Sequence, residues 1–252
     1  MATDSLPAPE PRIGCAGWSL PRVEWPHFSA EGTHLTRYAA VFNAVEINSS
    51  FYRPHQPQTY VRWAQSVPAG FRFSVKLPRT ITHELRLRQA DQPLFRFLDE
   101  VAGLGEKLGC ILVQLPPSLV FDMETAAAFL DLLRHRHAGP LALEPRHATW
   151  FTSAAEVLLK ERWIARVLAD PVLHAGGEVP GGWAGLQYVR LHGSPRVYYS
   201  AYASALLQAL SVRLRLAQEQ GAQTWCVFDN TAVGAAVADA RALNALLTTA
   251  TA

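Results

Sequence analysis

Eight short apolar runs recur along the whole chain, at residues 12–16, 44–48, 72–76, 111–115, 141–144, 164–170, 187–192 and 224–229. Each is four to seven residues long and rich in Val, Ile, Leu or Phe, as expected of a strand covered on both faces. Between most of them the apolar spacing becomes helical. Leu35, Tyr38, Ala39 and Phe42 stand at i, i+3, i+4 and i+7 and predict a helix starting near Thr33. Phe129, Leu132 and Leu133 predict another behind the N-cap Asp122. Ser153 and Glu156 have capping-box spacing ahead of Val157, Leu158 and Leu159. Leu207, Leu210, Leu214 and Ala217 form a further stripe, and Val233, Val237, Ala240 and Leu247 a last one. Residues 171–186 carry Gly176, Gly177, Gly181 and Gly182, which leave room only for a loop or a single turn.

Such alternation implies parallel strands joined by right-handed crossovers. Eight units in 252 residues predict the α/β class and a single-domain (β/α)8 TIM barrel with a reduced or irregular sixth helix. An open doubly wound sheet fits less well, since Gly14-Cys15-Ala16-Gly17 lacks the third glycine of a phosphate-binding fingerprint. The domain is expected over residues 12–252, behind a disordered lead-in at residues 1–11. With 49% hydrophobic and 17% charged residues the chain is no disordered polymer. Cys15, Cys110 and Cys226 make no CxxC pair and point to a reducing compartment, the cytoplasm. No apolar run approaches the ~18 residues of a membrane span, and the lead-in lacks the order of a signal peptide. No membrane association and no obligate protein partner is expected. A net charge of +2 does not by itself imply nucleic-acid binding.

In a barrel the chemistry sits at the C-terminal ends of the strands, and here those ends are polar. The second run ends Glu46-Ile47-Asn48, the third at Lys76, the fourth at Gln114 and the fifth at Glu144, with Arg146 and His147 just beyond. The sixth ends at Asp170, the seventh carries Arg190 and His192, and the eighth ends Asp229-Asn230. Period-2 alternation puts Glu46 with Asn48, and Arg190 with His192, on one face. Buried ion pairs are poor stabilisers, so seven strands ending this way point to a site. Glu46, Lys76, Glu144, Asp170, His192 and Asp229 are the candidate catalytic groups. Trp18, Asn48, Tyr52, His83, Gln114, Arg146, His147, Arg190 and Asn230 are the candidate substrate contacts.

Two surrounding features add to this. Phe51, Tyr52, Trp150, Tyr198 and Tyr199, with Trp18, lie in the loops and suit a ring-stacking rim. The loop from Lys76 to Arg88 carries four formal positive charges against one negative, beside Arg146, His147, Arg190 and His192. It suits a phosphate or carboxylate held by planar guanidinium groups.

The blocks IGCAGWS, YAAVFNAVEINSSFYR, FSVKLPRTITH, QLPP, EPRHATW, YVRLHG and VFDNT, in this order, resemble the DUF72 (YecE-like) family from Ile13 to about Leu247. The resemblance implies a TIM-barrel fold and no particular activity. The chain departs from the family pattern at Pro145, where an aromatic residue is usual, and at Asp229, which with Asn230 replaces an Asn-Asn pair.

Three readings of function follow. The first is hydrolysis of a phosphate ester, nucleic acid included. Glu46, Glu144, Asp170, His192 and Asp229 would then be candidate ligands of a divalent metal that activates water, although no HxH or HExxH spacing is present. The second is metal-free acid–base or Schiff-base chemistry on a small anionic molecule. Lys76 would be the amine or base, with Glu46 or Glu144 as proton partner. The third is a nucleic-acid-binding protein without turnover, using the basic loop and the aromatic rim.

Overall fold

The computed structural model describes residues 10–248, so the lead-in expected over residues 1–11 lies almost wholly outside the described residues. Ten strands and seven α-helices are found among them. The strands are β1 Arg12–Cys15, β2 Ala44–Ile47, β3 Arg72–Lys76, β4 Leu108–Gln114, β5 Leu141–Glu144, β6 Ile164–Arg166, β7 Leu168–Asp170, β8 Gly181–Gly182, β9 Leu186–Leu191 and β10 Gln223–Phe228. The helices are α1 His34–Ala39, α2 Pro57–Gln65, α3 Asp91–Val101, α4 Met123–Arg136, α5 Ser153–Glu161, α6 Ser204–Glu219 and α7 Ala235–Thr248. None is long and apolar enough to cross a membrane.

The fold is of the α/β class, with parallel-rich sheets and helices between the strands. One sheet has the order β2-β3-β4-β5-β6-β8, the other β1-β10-β9-β7. Every ladder is parallel except the short β6–β8 pair. The single closed ladder that the sequence led us to expect is not found among the described residues, and two seams show why. At the first, side chains stand where ladder bonds would be. The Ile13 amide donates to Asn43 Oδ1 (3.0 Å). The Tyr38 hydroxyl accepts from the Cys15 amide (2.8 Å) and donates to the Ala44 carbonyl (3.0 Å). Gly14 leaves space for this arrangement, because a Cβ there would stand 2.0 Å from the Ala44 oxygen. Direct pairing is limited to the Ala16–Glu46 bridge and the bond from the Gly17 amide to the Glu46 carbonyl. At the second seam, the run expected as one strand over 164–170 divides at Val167. Its first half pairs with β5 and its second with β9, while β8 takes the other edge of β6.

Alternation along the strands builds two cores. Val45, Ile47, Val75, Ile111, Val113, Leu141, Leu143, Val189 and Phe228 join the helices in the larger one. Their neighbours Ala44, Cys110, Leu112, Ala142, Ala165, Val167, Tyr188, Trp225 and Val227 form a smaller second core. Tyr188 and Trp225 stack there with centroids 5.9 Å apart. Of the helices that cover the larger core, α1, α4 and α5 have N-termini capped by a side chain. Thr33 accepts from the Thr36 amide and Asp122 from the Thr125 amide, as read from the sequence.

Other local expectations shift. The cap of α5 is Thr152, not Ser153, and accepts from the Ala155 amide. Phe42 lies beyond the end of α1, although still buried. Val233 precedes α7 and is exposed, so it adds nothing to that stripe. Residues 171–186 hold no helix, as expected, and contribute β8 and the first residue of β9. The helices α2 and α3 correspond to no stripe singled out above, although Leu94, Phe97 and Val101 supply one for α3.

Candidate active site

Residues of the second core's face, followed to the C-terminal ends of the strands, turn from apolar to charged. Ala44 is succeeded by Glu46, Ser74 by Lys76, Leu112 by Gln114, Ala142 by Glu144, Tyr188 by Arg190 and His192, and Val227 by Asp229. Each step is of two residues, with His192 two beyond Arg190, so strand periodicity alone aims these groups together.

Arg190 is the hub and is wholly buried. Its Nε and Nη2 donate to Glu46 Oε2 (2.9 Å) and Oε1 (2.7 Å), its Nη1 to Glu144 Oε2 (3.1 Å), and Nη2 also stands 3.1 Å from Asp229 Oδ2. Glu144 Oε1 accepts from Gln114 Nε2 (3.0 Å) and Arg146 Nη1 (2.8 Å) and faces His192 Nε2 at 3.0 Å. His192 Nδ1 lies 3.0 Å from Asp229 Oδ2. With a carboxylate oxygen opposite each ring nitrogen, the imidazolium is the form that satisfies both. Burial opposes that charge, but Glu144 and Asp229 outweigh it and raise the His192 pKa. Burial would raise the Glu144 carboxyl, yet His192, Arg190 and Arg146 hold it well below the usual carboxylate range. Asp229 is lowered in the same way, chiefly by Arg190 and His192.

Lys76 differs from the other cations. It is 5% exposed and, among the described residues, its ammonium makes no hydrogen bond or ion pair. Its Nζ lies 3.9 Å from the centre of the Phe51 ring. Burial, aided by the charge of Arg190, lowers it to about 8 against the pull of Glu46, Glu144 and Asp229. Glu46, Glu144 and Asp229 carry three negative charges. Lys76, Arg146, Arg190 and protonated His192 carry four positive ones, an excess of one. Tyr198, at φ 69, sets its ring edge-on to His192 with centroids 6.0 Å apart. Burial raises its hydroxyl pKa, and so do the charges of Asp229 and Glu144, against Arg146 and Arg190.

Eight expected residues are thus brought together: Glu46, Lys76, Gln114, Glu144, Arg146, Arg190, His192 and Asp229. Asn48 follows β2 in phase with Glu46, half-buried, its Oδ1 without a hydrogen-bond partner among the described residues. Three others stand apart because they are one residue out of phase. Asp170 Oδ1 accepts from the Tyr202 hydroxyl (2.8 Å), which in turn accepts from the Gly193 amide (2.7 Å). Asn230 Nδ2 is bonded to Asp239 Oδ2 and the Ser200 carbonyl, which ties the loop after β9 to α7. His147 Nδ1 accepts from the Thr149 amide and caps the turn Ala148–Trp150.

The loops divide as well. His83 packs edge-on against Phe51 (4.9 Å) with its Nδ1 2.8 Å from Thr82 Oγ1, and Tyr52 packs on the same ring. Burial lowers the His83 pKa, with Lys76 and Arg79 adding to it. Trp18 packs on Trp63, and Trp150 is buried with its Nε1 bonded to the Leu119 carbonyl, so it is no part of the rim. The basic loop is partly neutralised: Arg79 pairs with Glu84 (3.0 Å), and Arg86 donates to the Ser118 hydroxyl and carbonyl. Sequence reasoning passed over Tyr188, whose hydroxyl lies 3.1 Å from Glu46 Oε2 and 2.9 Å from Ser74 Oγ. Its phase, two residues before Arg190, was the available signal.

The expected metal ligands are already engaged. Guanidinium groups stand against Glu46 and Glu144, and Asp170 faces Tyr202. Among the described residues no three His, Cys, Asp or Glu side chains are grouped to hold a metal ion.

The chain is similar to curated and solved proteins. It is 31% identical over 164 residues to the UPF0759 protein YecE of Escherichia coli (strain K12), covering 63% of this chain and 58% of that protein. It is 26% identical over 176 residues to the UPF0759 protein YunF of Bacillus subtilis (strain 168), covering 65% and 62%. The matched part thus spans less than two thirds of those relatives. A crystal structure of a DUF72 family protein from Enterococcus faecalis V583 superposes with a TM-score of 0.79 at 22% identity, covering 95% of this chain and 96% of that one. Another from Thermotoga maritima MSB8 gives 0.78 at 23%, covering 94% and 98%. These two likenesses speak for the fold alone. The profile of the family described as "Protein of unknown function DUF72" matches residues 12–252, and the chain belongs to that family.

Proposed function

We propose that the protein is a metal-independent enzyme acting on a small anionic carbonyl compound, with Lys76 as the attacking amine. In this reading the two sheets work as one (β/α)8 ring, with the Arg190 cluster at its C-terminal mouth. The observation that carries the proposal is the isolation of Lys76. Among the described residues its ammonium alone of the clustered cations has no carboxylate or hydrogen-bond partner, and burial brings its amine to about 8. A neutral amine is thereby accessible near physiological pH.

With Lys76 protonated the cluster carries one excess positive charge, which draws in a monoanion before the amine loses its proton. Arg146, whose side chain is 16% exposed, has Nη1 on Glu144 and, among the described residues, no bond from Nη2, which is left to take a carboxylate or phosphate. With the anion held there, Lys76 Nζ adds to the carbonyl carbon and a C–N bond forms. The carbonyl oxygen departs as water with the two amine hydrogens, leaving an imine. Protonated, that imine draws electrons from the adjacent bond, which is the basis of lyase or isomerase chemistry. Glu46 and Glu144, each saturated by donors, hold Arg190 and His192 in place.

Phosphate-ester hydrolysis has less support, since of the carboxylates it would assign to a metal Glu46, Glu144 and Asp229 are taken by Arg190 and Asp170 faces Tyr202. Nucleic-acid binding has less support too, with Arg79 and Arg86 of the basic loop bonded within the chain. The three cysteines are all unpaired and buried, consistent with the cytoplasm as the compartment.

Calorimetric titration with pyruvate tests the anion site. Binding is expected in the wild type, and Arg146→Ala should weaken it about tenfold, the value of one charge-assisted hydrogen bond. Absence of binding to the wild type overturns the proposal.

A further inference from the structure

Beside the cluster lies a cavity of about 250 Å³, between the loop after β2 and the first turns of α3. Phe51, Tyr52 and Phe97 line it together with three prolines, and Arg53 and Arg96 border it. Glu100 is its one carboxylate, so the lining is cationic by one charge. Among the described residues the guanidinium group of neither Arg53 nor Arg96 makes a hydrogen bond or ion pair, and both residues are exposed. Phe51 belongs to both places. Its ring meets Lys76 Nζ at 3.9 Å and packs edge-to-face with Tyr52, centroids 4.9 Å apart.

Size and chemistry limit the occupant. Sites that enclose a whole drug-sized ligand run to about 300–1,000 Å³, so this cavity takes only part of a molecule. Its aromatic and proline walls suit the face of a flat ring, while Ser50, Thr80 and Gln92 in the same lining leave room for a polar substituent on that ring. Unpaired guanidinium groups at its border stack on rings and attract anions. We propose that this cavity is the subsite for an aromatic ring, and that the compound handled at Lys76 is an aryl-bearing small anion. The proposal rests on the anion site described above for the head group, and on the cavity alone for the ring.

Propionate and 3-phenylpropionate, which form no imine, serve as probes by calorimetry on the full chain. Burying one face of the ring should make 3-phenylpropionate bind about tenfold tighter than propionate. That advantage should fall below threefold in Tyr52→Ala and in Phe97→Leu, two variants on opposite sides of the cavity. Arg146→Ala should weaken both probes by the same factor. Equal affinity of the two probes in the wild type overturns the subsite while leaving the anion site standing. An advantage unchanged in both cavity variants overturns it too. If 3-phenylpropionate binds and Arg146→Ala leaves its affinity unchanged, the cavity is separate from the Lys76 centre and the assignment is overturned. Binding of neither probe removes the subsite and the anion site together.

Discussion

Arg190 and Glu46, 144 positions apart in the chain, meet through two parallel bonds with both side chains wholly buried. A guanidinium and a carboxylate so placed match in geometry, which an ammonium does not. Removing the guanidinium leaves Glu46, Glu144 and Asp229 facing one another. Arg190→Met is therefore expected to lose about 3–5 kcal/mol of unfolding free energy, measured in urea. Arg190→Lys should recover only part of it, because one ammonium cannot serve both oxygens of Glu46.

Lys76 should cost the fold stability at neutral pH. Its amine titrates near 8 in the folded chain and near the ordinary lysine value when unfolded. Between those values the unfolded chain holds more protons, so the Lys76 contribution rises with pH through that window. Lys76→Met should thus be more stable than the wild type at pH 7, by up to about 3 kcal/mol. The difference should shrink as the pH is raised above 8, in paired urea melts.

His192 has the opposite sign. Its folded pKa is raised, so the stabilisation it supplies is fully present below the unfolded value of about 6.5. That stabilisation is lost as the pH rises through the folded value. The imidazole protons should titrate above the free-histidine range by NMR. His192→Gln should cost more stability at pH 6 than at pH 9.

Much of the clustering in the candidate site was legible because strand periodicity fixes which residues share a face. Glu46, Lys76, Gln114, Glu144, Arg190, His192 and Asp229 follow from counting by twos. The same count sets aside Asp170, His147 and Asn230, which face Tyr202, the Thr149 turn and Asp239. They were gathered in because polarity at a strand end was weighed without phase. Tyr188 was passed over for the converse reason: an aromatic residue in a strand looks like packing until its hydroxyl is traced to Glu46. The seam between β1 and β2 was not legible. It depends on where Tyr38 and Asn43, outside any strand, set their polar atoms.

That seam gives its own test. Tyr38→Phe removes one hydroxyl and leaves the buried Cys15 amide and Ala44 carbonyl without their partner. A loss of about 1–3 kcal/mol is expected in urea unfolding. A cost below about 0.5 kcal/mol would mean that the strands close the gap by pairing directly.

The most direct measurement is reductive trapping. The chain has three lysines, Lys76, Lys107 and Lys160, so peptide mass spectrometry resolves every lysine that reacts. With pyruvate and borohydride, Lys76 is expected to acquire the reduced adduct first, at a rate that climbs as the pH passes 8 and that falls in Arg146→Ala. An unmodified Lys76, or one labelled no faster than Lys107 and Lys160, would contradict an amine centre in this fold.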